Sequence, residues 1–189
     1  GEMFKLFQAE VFPFIKNMAS ASDTTFARAM ADAAFIIPKP SLLVQAVELI
    51  EDIPMKDRDT KGDVYEYMLS KLSTAGQNGQ FRTPRHIIKM MVELMQPKIK
   101  DFICDPACGT AGFLVAAGEY IRTHHEIDFH AAENREHVNG RLFNGFDFDT
   151  TMLRIGSMNM MMHGVENPHI MYKDSLSDNN KESEEYTLI

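Results

Sequence analysis

Asp105 stands just ahead of two glycines, Gly109 and Gly112, in the run Asp105-Pro106-Ala107-Cys108-Gly109-Thr110-Ala111-Gly112-Phe113, and that spacing has a use in ligand chemistry. Glycines let the backbone turn tightly and approach a ligand with no Cβ in the way, while the aspartate sets a carboxylate where the ligand arrives. The pattern is wrong for phosphate. A P-loop ends in Gly-Lys-Ser/Thr and a dinucleotide cradle reads G-x-G-x-x-G, whereas this turn reads G-x-x-G behind an acid. An acidic residue there suits a cationic ligand. The simplest is S-adenosylmethionine, which carries an ammonium, a sulfonium and a ribose diol but no phosphate.

Such a turn works only if a strand delivers it and a helix leaves it. The apolar run Phe102-Ile103-Cys104 predicts the strand, and Phe113-Leu114-Val115-Ala116-Ala117 begins a helix that continues to about His125. Asp105 then lies at the carboxyl end of a strand, where open α/β sheets bind ligands. A second strand is expected over Leu142 to Phe146 with Asp147 at its end, a helix start at Asp149-Thr150-Thr151, and a third strand at Ile170-Met171-Tyr172. Tyr186 to Ile189 reads as the start of a fourth strand. Alternating strands and helices imply a mostly parallel sheet. The polar, poorly periodic stretch from Glu126 to Gly140 is read as a surface excursion.

Upstream, Pro84 suits the first turn of a helix carrying Ile87-Ile88, Met91-Val92 and Leu94-Met95 before Pro97 stops it. Asp63 to Leu72 has helical spacing and ends in the turn Gly76-Gln77-Asn78-Gly79. The first part of the chain also reads as helices: a stripe from Met3 to Ile15 with a break or kink expected at Pro13, a second helix from Thr24 to Phe35, and a third capped by Ser41. The polar run Lys56 to Gly62 marks the boundary, giving a helical region at 1–61 and an α/β region at 62–189.

The sequence has 189 residues and is 44% apolar, enough for a stable core. No run approaches a membrane span and the amino terminus lacks a secretory pattern, so a cytoplasmic protein is expected. Lys and Arg number 19 against 27 Asp and Glu, a net charge of −8, which is the wrong sign for a surface whose main task is to neutralise DNA phosphates. Cys104 and Cys108 both fall in the strand and turn, where a disulfide would distort the site, and two reduced thiols are expected. The methionines from Met158 to Met162 read as core filler, and His124, His125 and His130 as solvated surface, so no metal site is expected.

Two segments taken together carry a family resemblance. Gly79-Gln80-Phe81-Arg82-Thr83-Pro84, followed by Asp105 through Phe113, resembles the modification subunit of type I restriction-modification systems, an N6-adenine DNA methyltransferase. The resemblance covers roughly residues 62 to 189. It implies a partial Rossmann-like S-adenosylmethionine-dependent fold behind the helical region. It also implies contact with DNA through the full-length complex and assembly with a specificity subunit and a restriction subunit.

In that family the glycine-turn residues Asp105, Pro106, Ala107, Gly109, Thr110, Gly112 and Phe113 would form the cofactor pocket, with Asp105 partnering the ammonium. Phe81, Thr83 and Pro84 would lie against the methionine end. Asp147 fits the ribose carboxylate expected at the end of a second strand, farther from the turn than the roughly 20 residues typical of nicotinamide folds. Its bland alternative is a helix cap, which weighs more for Asp149. Either Phe146 or Phe148 could stack on the adenine, the inward one being core. Asp174, with Ser175 beside it, matches the family's acceptor for the adenine amine; without the resemblance the pair would read as a turn.

The family's catalytic Asn/Asp-Pro-Pro-aromatic element does not occur in this sequence; the sole Asn-Pro, Asn167-Pro168, precedes the third strand. No catalytic residue is therefore assigned. The chain is expected to be a truncated piece holding the cofactor half, inactive alone, with an exposed sheet edge that would invite self-association, a homodimer included. Two other readings stay open: a methyltransferase acting on a protein or small molecule, and a noncatalytic assembly module for partner subunits.

Overall fold

The computed structural model describes residues 1–17, 24–31, 33–51, 53, 62, 64–65, 67–69, 83–178 and 185–189. The chain opens with α1 (Glu2–Leu6), a π-helical segment (Phe7–Val11) and α2 (Phe12–Asn17), which follow one another without a gap. Of the break or kink expected at Pro13, the break does not occur. The wider turn just upstream, in which the Phe12 N–H reaches Phe7 O, takes up the clash that a proline ring makes with the preceding turn.

α3 (Thr25–Met30) is shorter than its predicted reach to Phe35, and Thr24 caps it by accepting from the Ala27 N–H at 3.2 Å. α4 (Pro40–Glu51) starts at Pro40, so Ser41 is inside the helix and does not cap it; proline is preorganised for the first helical position. Positions 62, 64–65 and 67–69 are helical. α5 (Arg85–Met95) begins one residue later than expected, with Pro84 as its extended cap, and ends where Gln96 turns left-handed at φ +50 before Pro97.

β1 (Ile103–Asp105) enters the glycine turn, and α6 (Gly112–His124) leaves it. The stretch expected as a surface excursion is folded: α7 (Glu126–His130), a 3-10 turn (Ala132–Asn134) and α8 (Arg135–Gly140) place Phe129 and Val138 in the core. Elements of five and six residues are too short to show a helical period. β2 (Phe143–Asp147), α9 (Thr150–Met162) and β3 (His169–Tyr172) complete the layer.

The three strands pair in parallel in the order β1-β2-β3, with Asp105 opposite Gly145 and Asp147 opposite Tyr172. Leu188 bridges Ile103 in parallel on the other side of β1, where the Cys104 N–H donates to Leu188 O at 2.8 Å. The chain thus runs outward through β2 and β3 and returns beside β1. The strand order reverses at β1, which makes its carboxyl end the topological switch point.

Phe143, Leu114, Ile121, Leu142 and Met160 are the centre of the core, each 1% exposed or less. Buried Asn144 crosses all three strands: its amide donates to Ile103 O and Arg141 O, and its Oδ1 accepts from His169 Nδ1 at 2.8 Å. Fully satisfied, such a group holds register without leaving a buried polar atom unpaired. Among the described residues no helix is long and apolar enough to cross a membrane.

Candidate functional site

Three aspartates converge because each lies at, or just beyond, the carboxyl end of a parallel strand. Asp105 ends β1, Asp147 ends β2, and Asp174 follows β3 by two residues. Loop contacts tie these ends together. The Gly109 N–H donates to Asp147 Oδ2 at 3.0 Å, Ser175 Oγ donates to Pro106 O at 2.6 Å, and the Lys173 N–H donates to Asp147 O at 3.0 Å.

Asp105 Oδ1 accepts from the Ala107 N–H at 3.1 Å, which bends the chain into the turn. Burial raises its carboxyl above the usual 3.8; the Ala107 bond opposes that rise and the charge of Asp147 adds to it. Two carboxylates on adjacent strands therefore create a site that favours a cation. Burial, with the charges of Asp105 and Asp147 near it, pushes the Cys108 thiol upward, and both cysteines are free and buried.

Gly109 takes φ +50, and a Cβ built there would meet nothing within 4 Å, so its open side is available to a ligand. Ala111 is also left-handed, at φ +62, although it has a side chain and is fully buried. That conformation costs an L-residue about 1–2 kcal/mol. The packing beneath the turn sustains it: a Cβ at Gly156 would come within 3.0 Å of Gly109 O and 3.4 Å of Ala111 Cβ, and Asn159 Nδ2 donates to Thr110 O at 2.8 Å. Gly156, Asn159 and Ser175 Oγ are thus site-building groups. The first two escaped the sequence reading; the signal was a glycine inside a helical pattern, which commonly marks a close backbone approach.

Asp147 binds more than was expected. Its Oδ1 accepts from the Asp149 N–H at 2.8 Å while Oδ2 holds Gly109, so the carboxylate fixes the turn and keeps one lone pair on each oxygen for a ligand. Asp149 is the helix cap, accepting from Thr151 and Met152. Phe146 faces the core at 2% exposure with Lys173 Nζ 4.7 Å over its ring, whereas Phe148 is 72% exposed beside Asp147. Asp174 forms a local turn by accepting from the Leu176 N–H at 3.0 Å.

A cleft of about 240 Å³ opens between α5 and α6. Asp105, Pro106 and Phe113 line it with Met91, Val92 and Leu188. The other residues named from the sequence lie outside that lining: Ala107, Gly109, Thr110 and Gly112 in the turn, Asp147, Phe148, Asp174 and Ser175 along the strand ends. Thr83 and Pro84 are exposed ahead of α5, whose Ile88 Cδ1 lies 3.4 Å from a Cβ built at Gly112. Phe81, with Gly79, Gln80 and Arg82, falls outside the described residues.

Residues 56–189 match the family model described as N-6 DNA methylase. The type I restriction enzyme EcoEI methylase subunit of Escherichia coli is 29% identical over 167 residues, covering 84% of this chain and 33% of that protein. The EcoKI methylase subunit of Escherichia coli strain K12 is 34% identical over 114 residues, covering 59% of this chain and 22% of that one. A crystal structure assigned as a modification subunit of a type I restriction enzyme from Vibrio vulnificus YJ016 superposes with a TM-score of 0.64 at 29% identity, covering 80% of this chain and 31% of that one. The chain thus spans a third or less of the length of these relatives.

Proposed function

The chain belongs to the N-6 DNA methylase family, and from that premise we propose that it is the S-adenosylmethionine-binding part of a type I modification subunit that methylates N6 of adenine in DNA. The observation that carries this reading is the switch-point site: a half-buried Asp105 beside Asp147, with an open glycine turn between them. Two carboxylates and no phosphate cradle suit a ligand with an ammonium, a sulfonium and a ribose.

Asp105 would hold the ammonium, and the Pro106 to Phe113 turn, including Ala107, Gly109, Thr110 and Gly112, would let the backbone approach. Asp147 would accept from the ribose diol through the lone pairs its turn contacts leave over. Exposed Phe148 would stack on the adenine, and Asp174, positioned with Ser175, would accept from the adenine amine. The methionine carboxylate would meet the start of α5 behind Thr83 and Pro84, where the positive end of the helix dipole favours an anion. Phe81 belongs with that segment.

The helical region at 1–61 would dock on this cofactor region at 62–189, and specificity and restriction subunits would complete a DNA-bound assembly. Because the Asn/Asp-Pro-Pro-aromatic element that would hold a flipped adenine is absent from these residues, the chain alone binds cofactor without turnover. Irradiation with methyl-labelled S-adenosylmethionine followed by peptide mapping tests the assignment. Label in peptides spanning 105–113 or 147–148 is the expected result. Label confined elsewhere, in folded protein, would remove the proposed pocket, and robust methylation of unmodified duplex DNA by this chain would contradict its dependence on further residues.

A further inference from the structure

The two segments that the sequence marks as the cofactor site, the glycine turn and the start of α5, are connected by polar contacts that avoid the cleft altogether. Asn159, fully buried on α9, donates through Nδ2 to Thr110 O at 2.8 Å. One turn later His163 Nδ1 lies 2.9 Å from Asn159 O, and since a carbonyl can only accept, Nδ1 carries the proton. The other ring nitrogen, Nε2, faces Glu119 Oε1 on α6 at 3.7 Å, longer than a hydrogen bond and attractive only when the ring carries a proton there as well, and the same oxygen accepts from Arg85 Nη2 at 3.2 Å. Arg85 is the first residue of α5, directly behind Pro84. His163 itself is buried, and a Cβ at Gly62 would collide with its ring, so the helical segment ahead of the site closes over it.

We propose that Asn159, His163 and Glu119 are positioning residues that hold the glycine turn and the start of α5 in a fixed relation, so that the two sides of the cofactor site form together. None of the three lines the cleft. Their effect on binding rests on the cofactor reading above, but the mechanical link does not. The link has a physical rationale. A bound amino acid end needs a carboxylate on one side and helix N–H groups on the other, and a displacement of about 1 Å between them forfeits oriented binding. Packing alone fixes helices less finely than packing joined by buried hydrogen bonds and an ion pair.

Amide hydrogen exchange on the ligand-free chain tests the link, read at the segments 108–112 and 85–88. Asn159→Asp removes the donor to Thr110 at nearly constant volume, and Glu119→Ala removes the far end at a partly exposed position that does not touch the turn. Each variant is expected to speed exchange at both segments about tenfold, whereas Val138→Ala, a core truncation outside the network, leaves their relation unchanged. Asn159→Asp should also weaken S-adenosylmethionine binding about tenfold with no new contact to the ligand lost. Exchange that rises only beside each substituted residue, or equally in the Val138 variant, would overturn the proposal. Wild-type protein that fails to bind S-adenosylmethionine would refute the cofactor reading, and the exchange pattern would still decide the link.

Discussion

The sheet layer and the amino-terminal helices are stabilised by different means. Around the strands, Leu114, Ile121, Leu142, Phe143 and Met160 are sealed from solvent, and Asn144 among them is bonded across the strands. In α1 to α4 the sole fully buried hydrophobic residue among those described is Leu43, while Phe14, Ile36 and Leu49 are 68%, 84% and 73% exposed. That region is secured by ring contacts, Phe35 lying 5.4 Å from Phe4 and 5.9 Å from Phe12, and by a polar stitch in which the Thr25 N–H and hydroxyl both reach Asn167 Oδ1. The dense region carries the site. Carboxylates can be held at fixed separations only where the strands beneath them cannot shift.

Substitutions in the two regions should therefore differ in size. Phe143→Ala empties the centre of the layer and is expected to cost about 3–5 kcal/mol, visible as a large drop in the denaturation midpoint. Gly156→Ala drives a methyl toward Gly109 O, a backbone atom that cannot rotate away. A loss of about 1–3 kcal/mol is expected, offset by less than the roughly 1 kcal/mol that alanine gains in a helix. If Gly156→Ala proved stabilising, close packing under the turn would be the wrong account of it. Phe35→Ala removes two ring contacts from the loose region, and thermal unfolding should register only about 0.5–1.5 kcal/mol. A loss there as large as that at Phe143 would erase the contrast between the regions.

The smallest effect concerns Asp105, and its sign follows from the direction of the shift. A carboxyl raised in the folded state contributes stability that is present below its unfolded value near 3.8 and lost as pH rises through the folded value. Asp105→Asn should hence melt slightly above wild type at neutral pH, with the gap closing as pH falls toward 3.8. A variant that melts lower at neutral pH would mean that the carboxylate is stabilising in the empty site.

The sequence revealed the site unevenly, and the reason is physical. Asp105 and Gly109 are legible because a turn at the end of a strand calls for a carboxylate that bends it and a glycine at positive φ, and β1 to β3 because short runs with apolar residues lead to an acid at or just past each strand's end. α7 and α8 were missed since helices of five and six residues show no period. Asn159, His163 and Glu119 were illegible because their meaning comes from contacts made across 34 to 49 positions. The double use of Asp147, on Gly109 and on Asp149, appears only when the turn and β2 lie side by side.

Calorimetric titration of the chain with S-adenosylmethionine and S-adenosylhomocysteine, repeated on Asp105→Ala, tests the central claim most directly. Saturable binding that weakens about 10- to 100-fold in the variant, the loss of one hydrogen bond to a charged group, is the predicted result. Unchanged affinity in Asp105→Ala, or no binding by wild-type protein shown to be folded, would contradict a cofactor site at the end of β1.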